Sequence, residues 1–200
     1  MIGLLRGQVR RKQPPFLLLD VNGVGYEIEA PMSTFYVLPS DDTPVTLHTH
    51  LAIRDDAHVL YGFAEERDRA LFRALLKVSG VGGKVALAIL SGMTADEFTL
   101  TVQAGDVAAL TRLPGIGKKT AERLIVEMRD RLEAPGSGNS PLLAPAGAAP
   151  AGPDSPLEDA LSALQALGYK GAEAQRMVRG VDAEGLSTEE IIRAALQSSR

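Results

Sequence analysis

The sequence has 200 residues, enough for one large domain or for two to three small ones. Apolar residues make up 45% and charged residues 23%, which are ordinary proportions for a folded protein. The absence of cysteine excludes disulfides, thiolate zinc sites and a cysteine nucleophile. The net charge of −4 excludes a general polycation that coats nucleic acid, although it is compatible with a local basic site. No apolar run has the length of a membrane span, and we expect a cytoplasmic protein.

The first 63 residues carry the pattern of short β-strands. Asn22 and Gly23 form the dipeptide most typical of a tight hairpin, and apolar segments flank it on both sides. The number and spacing of the strands indicate a five-stranded Greek-key barrel of the OB type, in a domain that we place at residues 1–63. The predicted strands are Ile2–Val9, Phe16–Val21, Val24–Ala30, Leu47–Ile53 and Ala57–Phe63.

The last two predicted strands flank a tip formed by Arg54, Asp55 and Asp56. Symmetric pairing about this tip predicts that six apolar residues share one face, which we expect to be the barrel core. Tyr61 and Phe63 would then pack in the core rather than stack on the bases of a single strand, and we expect the same of Tyr26. The six residues are Leu47, Leu51, Ile53, Val59, Tyr61 and Phe63.

Residues 64–133 are predicted to form an all-α domain, which makes the chain an α+β multidomain protein. Thr94 and Glu97 have the spacing of a capping box, and Asp106 is suited to cap a short helix. A long helix is expected from about Lys118 to Leu132.

The remaining residues indicate a linker and a small C-terminal module. Residues 134–155 are rich in proline, glycine and alanine, and they predict a flexible linker because they cannot bury enough apolar surface to fold. Residues 156–200 predict a three-helix bundle. Capping boxes at Ser155 and Ser187 would open its first and last helices, and Gly168 would end the first.

One pattern occurs twice in the helical domain. Val78–Leu90 recurs as Leu113–Ile125, with the order apolar-x-Gly-apolar-Gly-x-Lys-x-Ala in both copies. The glycines permit a tight turn, and the first N–H groups of the following helix then meet an anion beside a lysine. Residues 112–131 also hold six basic and three acidic side chains. The repeat predicts contacts with DNA phosphates and no preference for base sequence.

The glycines have two other interpretations. A turn that only joins two packed helices is an alternative for a single copy, but lysine at the same offset in both copies favours phosphate binding. Residues 117–120 resemble the end of a Walker A loop, yet Arg112 occupies the place of that loop's first glycine. We therefore expect no nucleotide site, no cofactor and no catalytic residue in this chain.

Four segments together resemble the RuvA family of Holliday-junction-binding proteins. The resemblance covers nearly the whole chain apart from residues 134–155. It implies an OB-fold domain, a tandem helix-hairpin-helix domain, a flexible linker and a three-helix, UBA-like domain that binds the RuvB motor ATPase. The segments are Met1-Ile2-Gly3-x-Leu5-Arg6-Gly7, Gly23-Val24-Gly25-Tyr26-Glu27, Leu60-Tyr61-Gly62-Phe63 and Leu113–Arg129.

The resemblance implies a non-catalytic subunit that binds four-way junction DNA, holds it open and targets the hexameric RuvB ATPase for branch migration in recombination and repair. It also implies a homotetramer, with an octamer on DNA as the alternative, RuvC resolvase as a further partner, and no membrane partner. A general helix-hairpin-helix module that binds duplex DNA is the alternative function. The DNA contacts implied by the resemblance are Gly80, Gly82, Lys84, Gly115, Gly117, Lys118, Lys119 and Arg123.

In this family, the tip between the last two strands is an acidic pin placed at the junction centre. Asp55 and Asp56 take that position, where their charge would repel phosphates. From the residues alone, a solvated turn and a pair of Mg²⁺ ligands in a junction nuclease are alternatives. Separately, His48, His50 and His58 would share the other face of the hairpin, which makes a zinc site a further alternative, but no Asp, Glu or Cys joins them and we expect no metal site.

The C-terminal module contains the predicted contacts with the motor. Leu167-Gly168-Tyr169 resembles the loop by which UBA-like domains engage partners. We expect Leu167, Gly168, Tyr169 and Met177 to contact the ATPase, although so small a module also needs its apolar residues for its own core.

Overall fold

The computed structural model describes residues 1–39, 43–55, 57–133, 156–169, 171–181 and 186–198. The chain divides into two compact units, Met1–Ala144 and Pro145–Arg200. The predicted linker, residues 134–155, lies outside the described residues, as does Asp56 of the predicted tip.

Five strands form a closed barrel in the order β1-β2-β3-β5-β4, which confirms the predicted OB-type fold. Asn22 and Gly23 have positive φ angles of 52° and 87°, as the predicted tight hairpin requires. The barrel core consists of Leu5, Leu17, Leu19, Ile28, Leu47 and Leu60. The strands are β1 (Leu4–Gln13), β2 (Phe16–Val21), β3 (Val24–Glu29), β4 (Val45–Ile53) and β5 (His58–Phe63), with helix α1 (Met32–Val37) between β3 and β4.

Strand β1 begins and ends later than its apolar pattern predicts. Residues 4–7 pair with β4, whereas residues 8–13 pair with β2 across a bulge between Val9 and Arg11. The charged second half belongs to the strand because β2 satisfies its backbone hydrogen bonds, whatever its side chains are.

The predicted pairing of β4 with β5 is wrong by one residue, and with it the predicted apolar face of the hairpin. Tyr61 pairs with His50 rather than with Thr49. Because successive side chains of a strand point to opposite faces, this shift separates the predicted set. Tyr61 and Phe63 are buried as predicted, but they pack with the helices and not in the barrel core. One face of the hairpin carries Leu47, Leu51 and Ile53, and the other carries Val59, Tyr61 and Phe63.

A helical region follows the barrel, as predicted. Thr94 and Glu97 form a reciprocal capping box, and the Asp106 carboxylate accepts a hydrogen bond from the N–H of Ala109 at 2.9 Å. No single helix in the described part of the chain has the length and composition of a membrane span, although one pair, bent by 97°, meets those criteria jointly. The helices are α2 (Glu66–Leu75), α3 (Gly83–Gly92), α4 (Ala95–Ala104), α5 (Val107–Thr111) and α6 (Lys118–Glu133), and the bent pair is α3 with α4.

The barrel and the helices of the first unit are joined by α2. The ring centroid of Phe72 lies 4.7 Å from that of Tyr61 and 4.9 Å from that of Phe63. Arg69 and Arg73 donate hydrogen bonds to the carbonyl of Thr49 at 3.3 and 3.4 Å. These contacts fix α2 against the hairpin that carries the acidic tip.

The described residues of the second unit form three helices, as predicted. Gly168 follows the first helix with a φ of 102°, a left-handed conformation that favours glycine at a helix end. Ser187 and Glu190 form the predicted capping box of the last helix, whereas Ser155 lies outside the described residues. The helices are α7 (Pro156–Ala166), α8 (Gly171–Arg179) and α9 (Thr188–Ser198), and their core is Ala160, Leu164, Ala174, Met177, Val178, Ile191 and Ala195.

Candidate nucleic-acid interface

The two copies of the repeat adopt the same backbone conformation. Gly80 and Gly115 occupy the same position in the pattern and have φ angles of 85° and 81°, which residues with a side chain rarely adopt. The N–H groups of Val81 and Ile116 donate to the carbonyls three residues earlier, at 3.1 and 3.3 Å. The duplication in the sequence is therefore a duplication in the structure.

Each turn leads directly into a helix. The carbonyls of Gly82 and Gly117 accept hydrogen bonds from Ala86 and Ala121 at 3.0 and 2.9 Å, and the helices begin there. The first N–H groups of a helix lack partners within it, and with the helix dipole they favour an anion. A Cβ on Gly82 or on Gly117 would meet no other atom within 4 Å, so both glycines leave the approach to the helix terminus open.

Lysines stand beside both turns. Lys84 follows the first turn, Lys118 and Lys119 follow the second, and all three are exposed. The Nζ atom of Lys118 lies 4.0 Å from the carboxylate of Glu122, which is a weak surface pair. Within the described residues, Lys84 and Lys119 have no ion-pair partner, so their charges are available to a phosphate.

Arg123, which the family resemblance places among the DNA contacts, lies against the first turn although it belongs to the helix of the second. Its Nη1 atom donates a hydrogen bond to the carbonyl of Ser79 at 3.0 Å. The same atom lies 3.7 Å from the position that a Cβ would take on Gly80. The sequence does not reveal this contact because Ser79 and Arg123 are 44 residues apart.

Two other arginines of the basic segment bind backbone carbonyls of the protein itself. Arg129 donates to the carbonyl of Val102 in the last turn of α4 at 3.2 Å, and Arg131 donates to the carbonyl of Lys77 at 3.4 Å. Arginines in such places satisfy carbonyls that a helix end leaves without a partner. The positive charge of residues 112–131 is thus only partly available to DNA.

The two turns differ where the barrel touches the first. Gly83 is buried, and a Cβ there would lie 2.2 Å from the hydroxyl oxygen of Tyr61. The matching residue of the second copy, Lys118, has a side chain that is 81% exposed. The first copy therefore lacks its second lysine because barrel packing leaves no room for a side chain. Burial also raises the pKa of the Tyr61 hydroxyl, which stays protonated near neutral pH.

The hairpin tip is tighter than predicted. Arg54 and Ala57 exchange two backbone hydrogen bonds, at 2.9 and 3.4 Å, and close the turn. The predicted three-residue tip is therefore wrong, because Arg54 belongs to the closing pair. Asp55 is exposed at this turn and accessible to a ligand, whereas Asp56 lies outside the described residues.

The three-histidine zinc alternative is wrong in its geometry. His58 pairs at a position whose side chains lie on the opposite face from those of His48 and His50. The Nδ1 atom of His48 lies 3.0 Å from the carboxylate of Glu66, a partner that the sequence pattern does not indicate. Among the described residues, no three His, Asp or Glu side chains are grouped closely enough to hold a metal ion.

The four predicted motor contacts differ in exposure. Leu167 is 64% exposed, Gly168 is exposed beside it, and Tyr169 is half-buried against the core of the second unit. Met177 is only 8% exposed and belongs to that core. Residues 167–169 are thus accessible to a partner, whereas Met177 is placed to support the fold.

Comparison with protein families covers most of the chain. Residues 1–62 match the family described as RuvA N terminal domain. Residues 72–130 match the SAM-like Helix-hairpin-helix tandem, and residues 155–199 match RuvA, C-terminal domain. The second match contains both copies of the repeat.

Three curated relatives each have the name Holliday junction branch migration complex subunit RuvA. The protein from Thioalkalivibrio sulfidiphilus is 62% identical over 200 residues, which cover 100% of this chain and 99% of the relative. The protein from Nitrosococcus oceani is 60% identical and that from Pseudomonas aeruginosa is 56% identical, with 98% of both chains covered in each comparison.

Proposed function

The chain belongs to the RuvA family, and from this premise we propose that it binds Holliday junctions, without regard to base sequence, as a subunit of a branch migration complex. The duplicated turn is the observation that carries the proposal. Both copies combine a left-handed glycine, an open helix terminus and an exposed lysine, which is a set of groups suited to a backbone phosphate. The groups that recur in both copies are backbone N–H groups and a lysine beside a helix terminus, and contacts of these groups with phosphates carry no information on base sequence.

The proposed assembly is a homotetramer. Two turns in each protomer, one for each strand of a duplex arm, would give one protomer to each of the four arms that meet at a junction. An octamer on DNA is the alternative, and the mass of the complex on a fixed junction distinguishes the two. RuvC resolvase is a further proposed partner, and we place the complex in the cytoplasm.

We propose that Asp55 and Asp56 form an acidic pin at the junction centre. Four such tips would repel phosphates, keep the strands apart and weaken binding to continuous duplex relative to a junction. The exposure of Asp55 at a tight turn supports this role, because the carboxylate meets solvent and not the fold.

The chain itself is proposed to be non-catalytic, with ATP turnover supplied by the hexameric RuvB ATPase. The second unit would recruit that motor through residues 167–169, since Leu167 is a large apolar side chain left exposed. Deleting residues 157–200 should abolish motor stimulation in a branch migration assay and leave junction affinity unchanged. Loss of junction binding in this deletion would contradict the assignment.

A competition gel shift with a four-way junction, linear duplex and single strand at physiological salt tests the function. We expect strong preference for the junction and no cleavage, first in EDTA and then in Mg²⁺. Equal affinity for linear duplex would instead favour a general helix-hairpin-helix repair module. Cleavage on addition of Mg²⁺ would indicate a nuclease and make Asp55 and Asp56 the suspected ligands.

A further inference from the structure

We propose that Arg123 is a positioning residue that holds the first turn in its phosphate-binding conformation, rather than an independent phosphate ligand of the second hairpin. The inference rests on the proposed junction binding and assigns a role within the same interface. Its basis is the hydrogen bond from the Arg123 guanidinium to the carbonyl of Ser79.

The position of the bond explains its effect. The carbonyl of Ser79 and the N–H of Gly80 belong to one planar peptide unit, so a donor that fixes the carbonyl also fixes the direction of the amide. Ser79 and Gly80 are both exposed, so this peptide lies at the surface where DNA would approach. Arg123 thereby orients a backbone N–H at the turn that we assign to phosphate binding.

The second turn carries a different constraint in its own sequence. Pro114 stands where the first turn has Ser79, and its ring fixes φ near −65°. The helix of the first copy does not offer the second turn a matching contact, because Ala88 of α3 occupies the position that Arg123 has in α6 and its side chain has no donor. At matching positions the first turn is thus restrained by a hydrogen bond from a distant arginine and the second by a proline ring.

The contact with Ser79 uses only part of the Arg123 guanidinium. In the described part of the chain, its guanidinium has one hydrogen bond, through Nη1 to Ser79. A guanidinium carries five N–H groups in a planar fork, so the contact leaves most of them unused. The bond to Ser79 forms within the protein itself, so the positioning role does not require Arg123 to contact a phosphate.

Double-mutant cycles on a fixed junction in EDTA test the assignment. Arg123→Ala should weaken binding about tenfold, and in that background Lys84→Ala should lose most of its own effect, since both act through the first turn. Lys119→Ala, one helical turn from Arg123, should keep its full effect in the same background. Additivity with Lys84→Ala together with coupling to Lys119→Ala would overturn the proposal.

Arg129→Ala is the matched control. Arg129 lies on the same helix, has the same charge and also donates to a backbone carbonyl, but that carbonyl belongs to α4. We expect its effect on junction binding to add to that of Lys84→Ala. If Arg123→Ala and Arg129→Ala were coupled equally to Lys84→Ala, a general loss of charge or of stability would explain the result. That outcome would overturn the proposal.

A rescue experiment separates positioning from direct phosphate contact. Ser79→Pro gives the first turn the constraint of the second, and it should restore most of the affinity that Arg123→Ala removes. Arg123→Lys, which keeps the charge but not the planar fork, should remain impaired. Failure of Ser79→Pro to restore affinity, with full activity of Arg123→Lys, would indicate a charge contact only.

Hydrogen exchange on the free protein keeps this inference distinct from the proposed function. In Arg123→Ala, the amide of Val81, which donates to the carbonyl of Val78, should exchange faster, whereas the matching amide of Ile116 should not change. If Lys84→Ala and Lys119→Ala both leave junction binding intact, the proposed function fails, whatever the exchange shows. If they weaken binding but exchange of the Val81 amide is unaltered by Arg123→Ala, the positioning role alone fails.

Discussion

The two phosphate-binding turns have the same backbone and different surroundings. The first is held by distant elements, because Gly83 packs against Tyr61 of the barrel and the carbonyl of Ser79 accepts a hydrogen bond from Arg123. The second is exposed at the matching positions, where Pro114 and Lys118 stand. One local pattern is thus held rigid in two ways, by tertiary contacts in the first copy and by its own residues in the second.

Gly83→Lys, which gives the first turn the residue of the second, should have the largest effect. The new Cβ would overlap the hydroxyl of Tyr61, so the α3 terminus or the barrel must move. We expect a loss of about 1–3 kcal/mol in the free energy of unfolding, measured in urea, and weaker junction binding. Added affinity without loss of stability would show that the close packing of residue 83 against Tyr61 is unimportant.

Gly117→Ala is the control for this change, because a Cβ at residue 117 meets no other atom within 4 Å. Its free energy of unfolding should fall by only about 0.5 kcal/mol, the usual difference between glycine and alanine at a helix N-terminus. Junction affinity should nevertheless fall, since the added methyl group fills the approach to the helix terminus.

Lys119→Ala should weaken junction and duplex binding alike. Its charge has no ion-pair partner among the described residues, so the substitution removes a phosphate ligand and little stability. The slope of log affinity against log salt should become shallower by about 0.9, the value expected for one neutralised phosphate. Titrations at several salt concentrations measure this, and an unchanged slope would argue against a phosphate role for Lys119.

Replacing Asp55 and Asp56 by Asn should have a smaller effect, and it should raise affinity. Removing the like charge should strengthen binding to linear duplex severalfold while changing junction binding less, so the preference for the junction falls. The gel shift with both DNAs measures the ratio. Equal ratios before and after would remove the proposed pin.

We expect the smallest effect from a change in pH, which alters the protonation of His50 where the helical domain packs on the barrel. Burial, with Arg73 and Arg69 nearby, lowers the pKa of His50 below its ordinary value of 6.5. The unfolded chain then binds a proton that folded His50 does not, so stability is lost as the pH falls through about 6.5.

Urea unfolding at pH 7.5 and 5.5 checks this. The loss of stability on acidification should be smaller in His50→Gln than in the parent protein, because the variant has no group to protonate at that position. His58→Gln is the control, since His58 is exposed on the other face of the hairpin. The same reduction in both variants would contradict a specific role of His50.

The sequence predicted those features that depend on a few neighbouring residues. The hairpin at Asn22, the capping box at Thr94 and the duplicated turns all follow from local backbone preferences. The five-stranded barrel was predictable from the number and spacing of the strands, and the comparisons support the same family that the motifs indicated.

The predictions were wrong where contacts with distant parts of the chain decide between two structures that the local sequence allows. Tyr61 and Phe63 belong to an apolar pattern that either face of the hairpin satisfies. The pairing of Arg54 with Ala57 shifts the register by one residue, and α2 offers Phe72 to the face that results. No feature of the strands themselves reveals that both of their faces are covered.

The sequence by itself determined the fold class, the two turns and the lysines beside them, because glycine conformation and helix capping act over a few bonds. Only the tertiary structure decided which arginine serves which turn and why residue 83 is glycine. Those outcomes depend on α6 and the barrel approaching the first turn, and contacts between residues far apart in the chain leave no periodic signal in either segment.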